Sequence, residues 1–368
     1  KKHFTKLCCT MLHTFKPLYI WLTILGFIPY RLNNNTSNSN YENIPKSIYL
    51  NFSCAILFLI VLNGLNIYLI WSLLQQNYYN KFGLIMVFNM ITEQFAFFTV
   101  VTAGYVCSYV YRSDFVRFLN TINKTFRDLP YCSNKYIFKS LVFHINIVTI
   151  MVAFVLFLQT AVNFTRPDSW EVVISIGTFF NLAQTLQVSY FALYQVLILM
   201  IASSLSNVQN HIEQFGKDTK TFGRLFNDRR TQPNATIRQI ELVYTSLLSE
   251  KDWINEMFQV PMLISILQCF HSMVAETHQI YHQAIVTGNC PVHAIVNSST
   301  WILYQVGKIA ALASSGYILD MRVQHFTSLI KKRQFDVTVF GLFPIDSTLL
   351  YNVRAFLDCI YLFLIGTD

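Results

Sequence analysis

The chain has 368 residues, of which 53% are hydrophobic, 15% are aromatic and only 12% are charged. Soluble domains carry about 25% charged residues, so this composition excludes a water-soluble globular protein and predicts an integral membrane protein. The formal net charge of +8 does not indicate nucleic-acid binding, because the basic residues lie in short loops beside apolar runs.

The apolar runs predict seven transmembrane helices, since a helix needs about 20 apolar residues to cross a bilayer. The predicted spans are Ser47–Leu74, Phe82–Tyr111, Tyr136–Asn163, Val172–Ser203, Asn255–Val286, Val292–Leu319 and Asp346–Thr367. An earlier run, Pro17–Tyr30, is too short to cross and has a proline near each end. We expect a re-entrant or interfacial hairpin there.

Basic residues lie almost entirely on one side of these spans. Only Lys81 and Arg166 fall in loops on the other side, whereas the N-terminal segment and residues 112–139, 217–251 and 322–333 are rich in Lys and Arg. Because short cytoplasmic loops are enriched in Lys and Arg, the N-terminus is predicted to be cytosolic. The predicted fold is therefore an all-α membrane protein with seven transmembrane helices and an extracellular C-terminus.

Several spans are predicted to continue into the cytosol as helices, because an apolar stripe persists beyond the bilayer. After the fourth span this stripe is Leu205, Val208, Ile212 and Phe215. We expect these extensions to form a cytosolic anchor bundle. The predicted regions are a cytosolic segment with the hairpin (1–46), spans one to four (47–204), a cytosolic helical anchor region (205–254), spans five and six with a cytosolic extension (255–330), and the cytosolic (331–345) and spanning (346–368) halves of the seventh helix.

The outer loops are too short to hold an extracellular ligand-binding domain, so we expect any ligand to bind between the spans. Small-molecule sites combine aromatic walls with a few polar groups that fix orientation. The outer halves of spans two to six supply such a set. The candidate ligand-binding residues are Glu93, Gln94, Gln159, Phe180, Gln184, Gln187, His271, Glu276, Trp301, Tyr304, Gln305 and Lys308.

Two charged members of that set need partners. An unpaired charge inside a bilayer is costly, so we expect Lys308 and Glu276 to pair with each other or with Glu93. The alternative role of each polar residue is a structural contact between helices. His278 and His282 are four residues apart, but no third ligand has a fitting spacing. The sequence therefore predicts no metal site, no cofactor and no enzyme activity.

Two motifs resemble segments of the insect gustatory receptors. Phe335–Leu350 reads FDVTVFGLFPIDSTLL and is similar to the segment before the family's last span, where a Gly-hydrophobic-Phe-x-hydrophobic-Asp block precedes a TY(x5)QF signature. Phe15–Tyr30 reads FKPLYIWLTILGFIPY and resembles the family's Pro…Leu-Gly-x-x-Pro opening. The signature itself is absent: counted from Asp346, its Gln-Phe falls at Gly366 and Thr367. The chain resembles a divergent member, related also to insect odorant receptors.

The resemblance implies a ligand-gated, non-selective cation channel of the plasma membrane, with four subunits around one pore lined by residues 346–368. Its implied partners are a small-molecule tastant, monovalent and divalent cations, and the lipid bilayer. A homotetramer is expected, with hetero-assembly as the alternative. Helical spacing adds an apolar constriction to the implied pore. The candidate pore residues are Val353, Ile360, Leu364, Gly366 and Thr367.

Ligand identity is left open by the sequence. The Phe-rich spans favour a bitter or plant-derived compound, whereas the carboxylates and amides of the candidate set also permit a sugar. An odorant-receptor-type channel shares the predicted topology and is a further alternative. A G-protein-coupled receptor is the other alternative, and it requires an extracellular N-terminus, which the charge asymmetry opposes.

Overall fold

The structure is a computed structural model of the chain. It describes residues 15–28, 53, 55–61, 63–64, 67–68, 71, 84–128, 134–164, 181–221, 237–286, 292–330, 338–339, 343–344 and 355. This part of the chain is almost wholly helical. Its one described strand pair is short and antiparallel, joining Thr338–Val339 (β1) to Phe343–Pro344 (β2).

Eight helices are described. In chain order they are α1 (15–24), α2 (55–61), α3 (Leu84–Val110), α4 (Arg112–Asp128), α5 (Asn134–Phe164), α6 (Leu182–Thr221), α7 (Ile237–Tyr281) and α8 (Val292–Ile330). A π-helical turn, His282–Val286, extends α7. The 40 residues of α6 span about 60 Å, twice the hydrocarbon thickness of a bilayer, so this helix runs well beyond the membrane.

Five of these helices are long and apolar enough to cross a membrane. Their candidate spans are Val87–Val110, Lys139–Val162, Leu182–Ile212, Arg238–Tyr281 and Ile295–Leu319. They overlap the predicted spans two to six, although the counterpart of the fifth predicted span begins at Arg238, 17 residues before the predicted Asn255. Most of the first predicted span and nearly all of the seventh lie outside the described residues. An all-helical membrane protein was expected from the apolar runs, and the structure confirms that fold class.

The helix α6 forms the centre of the bundle. In the most apolar stretch of α6, 83% of the helix is buried inside the bundle, whereas only 12% of the corresponding stretch of α5 is buried. Side chains of α6 such as Tyr190, Tyr194 and Leu197 are fully enclosed, whereas Phe154 and Phe157 of α5 are exposed. We therefore assign α5 to the lipid-facing periphery, where exposed aromatic side chains replace contacts with protein by contacts with acyl chains.

An amphipathic helix, α4, occupies a stretch that was expected only to be a basic cytosolic loop. Its apolar face includes Phe115, Phe118 and Ile122, which are buried, and Phe118 packs against Trp253 of α7 at a ring-centroid distance of 5.5 Å. The spacing of these residues is that of one helical face. Glu250 of α7 fixes the contact, because it accepts a hydrogen bond from Thr121 Oγ1 at 3.0 Å. Arg117 adds an ion pair to Glu250 at 3.6 Å.

The first helix packs one face against the bundle, while Ile20 and Ile24 on its other face are exposed. Leu18, Leu22 and Phe27 of this segment are buried, and the Trp21 indole donates to Ser189 Oγ on α6 at 2.8 Å. The turn after α1 depends on Gly26, whose φ of 82° lies in the left-handed region. The predicted re-entrant hairpin at this segment stays a prediction, because no membrane boundary is defined by these contacts.

A proline interrupts the hydrogen bonding of α7. Pro261 has no amide hydrogen, so the carbonyl of Met257, four residues earlier, loses its helical donor. The hydroxyl of Tyr190 on α6 lies 3.4 Å from that oxygen and donates to it. Four residues after the proline, Ser265 Oγ accepts from Gln187 Nε2 at 2.7 Å. The helix α6 thus contacts α7 on both sides of the interruption.

Candidate functional site

The side chain of Lys308, near the middle of α8, is buried among three other helices. Its Nζ donates to Gln187 Oε1 on α6 and to Gln268 Oε1 on α7, each at 3.1 Å. The same nitrogen lies 4.9 Å from the centroid of the Tyr304 ring and 5.7 Å from that of Phe97. Two amide dipoles and two aromatic faces therefore replace the water that a cation would otherwise hold.

A carboxylate, Glu93 of α3, lies on the other side of Gln268. Its Oε1 accepts a 2.8 Å hydrogen bond from Ser272 Oγ and a 3.4 Å one from Gln268 Nε2. Gln268 therefore bridges the two charges, with its oxygen on Lys308 and its nitrogen on Glu93. Lys308 was expected to pair with Glu276 or Glu93; the structure links it to Glu93 through this amide.

The network joins α3, α6, α7 and α8, because each of these helices contributes at least one of the hydrogen-bonded polar side chains. Gln305 of α8 donates from Nε2 to Ser272 Oγ at 3.1 Å and so closes the chain of contacts between α7 and α8. We define the polar network as Glu93, Gln187, Ser265, Gln268, Ser272, Gln305 and Lys308. Burying one charge without partners would cost several kcal/mol or more, so the opposite charges and the amides depend on one another.

The charged ends of this network are buried, though slightly less completely than its amides. Glu93 and Lys308 each keep 8% of their surface exposed, whereas Gln268 keeps 2% and Gln305 none. Beside them the partly buried rings of Trp301 and Tyr304 stack, with centroids 5.5 Å apart and an interplanar angle of 26°.

Some buried polar atoms near the network lack hydrogen bonds within the described part of the chain. They are Gln305 Oε1 and His271 Nε2, and both side-chain amide atoms of Gln94, which follows Glu93 on α3. Buried polar groups in proteins are nearly always paired, and exceptions require an explanation such as a ligand or water. The region is thus capable of further hydrogen bonding.

The structure brings together part of the predicted ligand-binding set. Glu93, Gln187, Gln305 and Lys308 are in the polar network, and Trp301 and Tyr304 flank it. Gln184 is fully buried on α6, one turn before Gln187. Glu276 lies on α7 one turn beyond Ser272. The side chain of Gln159 on α5, the whole of Phe180, and the pore candidates Val353, Ile360, Leu364, Gly366 and Thr367 lie outside the described residues.

Three network residues were missed by the sequence analysis: Gln268, Ser265 and Ser272. A usable signal was present, because Gln268 and Ser272 are four apart on α7 and lie on one helix face. In the described residues, no group of three or more His, Cys, Asp or Glu side chains is placed to hold a metal ion. The rings of His278 and His282 are 6.2 Å apart.

Comparison with known proteins identifies the family of this bundle. Residues 15–317 match the family model described as "7tm Chemosensory receptor". The chain belongs to this chemosensory receptor family. None of the curated proteins matches the chain.

Solved structures show that this family member has the fold of an insect olfactory receptor. The OR5 receptor of Machilis hrabei matches with a TM-score of 0.69 and 12% sequence identity, over 96% of this chain and 97% of that one. Its complex with eugenol matches with a TM-score of 0.70 and 12% identity, over 97% of this chain and all of the other. The seven-helix fold predicted from the apolar runs is thereby confirmed at the level of architecture.

Proposed function

We propose that this chemosensory receptor is a ligand-gated, non-selective cation channel of the gustatory type, opened by a small molecule bound at the polar network. The observation that carries the proposal is the buried pair Glu93 and Lys308, bridged by Gln268 where four long helices meet. Charges in membrane helices are rare and expensive, and they usually mark functional sites. The family match and the structural likeness to an olfactory receptor support a chemoreceptor role.

The geometry supplies a route from ligand to gate. A molecule that displaces Gln268 from either charge would move α7 relative to α3 and α8, because those helices meet through this amide. The helix α8 then leads towards the seventh helix, whose residues 346–368 are proposed to line the pore. Val353, Ile360 and Leu364 remain the proposed apolar constriction. In this proposal four identical subunits surround the pore in the plasma membrane, with Gly366 and Thr367 at its outer end.

The proposed ligand is a bitter or plant-derived compound. Support comes from the aromatic surroundings of the network, Phe97, Trp301 and Tyr304, which suit an apolar body better than a fully hydroxylated ring. The solved relative was obtained with eugenol, so the fold accepts a small organic molecule in at least one protein. A sugar is the second candidate, favoured by the polar atoms near the network that are unpaired in the described part of the chain, Gln305 Oε1 and the Gln94 amide.

Bilayer recording tests the channel directly. The full chain, purified alone and reconstituted in a planar bilayer, is exposed to a panel of plant-derived bitter compounds and to a matched panel of sugars. We expect a bitter compound to evoke cation current without any added G protein. Binding without current would refute the channel mechanism. Responses to sugars alone would replace the proposed ligand class with the second candidate.

A further inference from the structure

The electrostatic arrangement of the polar network restricts the charge of its ligand. The positive end, Lys308, faces two neutral amide oxygens, the Cys269 thiol and two aromatic rings, and the negative end, Glu93, lies beyond Gln268. The two charges thus offset one another across one side chain. A ligand that added a net charge would leave one of the three charges uncompensated in a medium that solvates ions poorly.

The hydrogen-bonding character of the two charged groups also restricts the ligand's functional group. Lys308 can only donate hydrogen bonds, and the Glu93 carboxylate can only accept them. Both are buried polar residues, each with 8% of its surface exposed. A hydroxyl group both donates and accepts, so it can accept from Lys308 and donate to Glu93. An ether oxygen can accept only, an ammonium is repelled by Lys308, and a carboxylate is repelled by Glu93.

The number of hydroxyl groups is limited by the amides. Gln187, Gln268 and Gln305 already donate to Ser265, Glu93 and Ser272, respectively. One further hydroxyl could pair with Gln305 Oε1, the network atom that is unpaired among the described residues, but each additional hydroxyl of a buried polyol would need another partner or be buried at a cost. The stacked rings of Trp301 and Tyr304 offer a flat apolar surface instead.

We infer that the site takes a neutral amphiphile with one or two hydroxyl groups, whose hydroxyl lies between Lys308 and Glu93 and whose apolar ring lies on Trp301 and Tyr304. This inference rests on the proposed function, since it assumes that the polar network is the ligand site. It goes beyond that function because it assigns both charged residues to one hydroxyl group of the ligand. The two residues then determine which ligand charge the site accepts.

Four compounds of one shape test the inference: 4-propylphenol, 4-propylanisole, 4-propylbenzylamine and 4-propylbenzoate. Binding is measured by thermal stabilisation of the purified full chain and, separately, by current in a bilayer. We expect the phenol to bind about tenfold or more tightly than the methyl ether and both ions, because a site built to hydrogen-bond a hydroxyl rejects analogues that lack it.

Charge-changing variants provide a readout that a purely structural role would not give. Glu93→Gln leaves Lys308 as the only charge of the network and should shift preference towards 4-propylbenzoate. Lys308→Gln leaves Glu93 and should shift preference towards the protonated 4-propylbenzylamine. The double variant Glu93→Gln with Lys308→Gln leaves the network without charges and should bind neither ionic compound. This variant keeps the inference testable if a single variant fails to fold.

Exposed residues supply the matched controls. Glu241→Gln and Lys124→Gln make the same chemical changes at exposed positions and should leave the order of binding unchanged. The inference would be overturned if the phenol did not bind, or if it bound no more tightly than the methyl ether. It would also be overturned if both single variants shifted their preference towards the same ion. Binding of the phenol with the expected shifts but without current would support the inference and refute the channel.

Discussion

The interruption of α7 at Pro261 leads to a prediction about Tyr190. Because the proline removes the helical donor of the Met257 carbonyl, the Tyr190 hydroxyl takes over that donation from α6 at 3.4 Å. Both Tyr190 and Met257 are buried, at 1% and 2% exposure, so water cannot take the place of the hydroxyl. Tyr190→Phe should therefore leave a buried carbonyl without a donor.

The magnitude follows from the length of this hydrogen bond. At 3.4 Å the bond is weak, and its loss together with the unpaired carbonyl should destabilise the protein by about 1 kcal/mol. In a Pro261→Ala background the alanine amide can donate to the Met257 carbonyl as in an ordinary helix. The same Tyr190→Phe change should then cost close to nothing. The coupling free energy of the two changes is thus also about 1 kcal/mol.

The assay is thermal unfolding of the detergent-purified chain in a double-mutant cycle. Tyr190→Phe should lower Tm by about 2 °C in the presence of Pro261 and by much less in its absence. Tyr105→Phe is the control, because its hydroxyl donates to the Leu25 carbonyl at 2.6 Å, in a contact that does not involve α7. An equal cost of Tyr190→Phe in both backgrounds would refute the assignment of its hydroxyl to the proline gap.

Two further predictions concern stability outside the polar network, and both are checked by Tm of the purified chain. Gly26→Ala should destabilise the protein by about 1 kcal/mol or more, because φ of Gly26 is 82° and an added Cβ would lie 3.0 Å from the Ala55 amide nitrogen. Gly307→Ala is the control: an added Cβ there has no atom of the described residues within 4 Å, so the change should be neutral or stabilising. Thr121→Val should cost about 1–2 kcal/mol by removing the 3.0 Å hydrogen bond to buried Glu250, whereas Arg117→Ala should cost less than about 1 kcal/mol, since Arg117 is 55% exposed. A larger loss of stability for Arg117→Ala than for Thr121→Val would contradict this expected order.

The apolar runs were sufficient to predict the described spans, because a bilayer requires long uninterrupted apolar helices whatever their packing. The same physics singled out Glu93 and Lys308, since a charge in a span is rare enough to be noticed alone. Their partners were not predictable in the same way. The choice between Glu93 and Glu276 for Lys308 depends on the rotation of α3 and α7 about their axes. Gln268 is uncharged, so its position in a span did not by itself indicate that it contacts Lys308 and Glu93.

The missed helix α4 illustrates a different difficulty. Its charged residues, among them Arg112 and Arg117, suggested a loop, although Phe115, Phe118 and Ile122 have helical spacing. The apolar face became decisive only when Trp253 and its neighbours on α7 were available to cover it. Amphipathic helices of this kind gain their stability from tertiary burial more than from local propensity.

The polar network and the proline gap are connected through one turn of α6. Gln187 contacts α7 after Pro261, through Ser265, and Tyr190 contacts it before Pro261, through Met257. Gln187 also accepts from Lys308. A ligand that draws Lys308 away from Gln187 and Gln268 would therefore loosen the contacts of α7 after Pro261, while Tyr190 still holds the helix before it. Since a proline removes the hydrogen bond that would otherwise stiffen the helix between these contacts, we expect bending at Pro261 to follow.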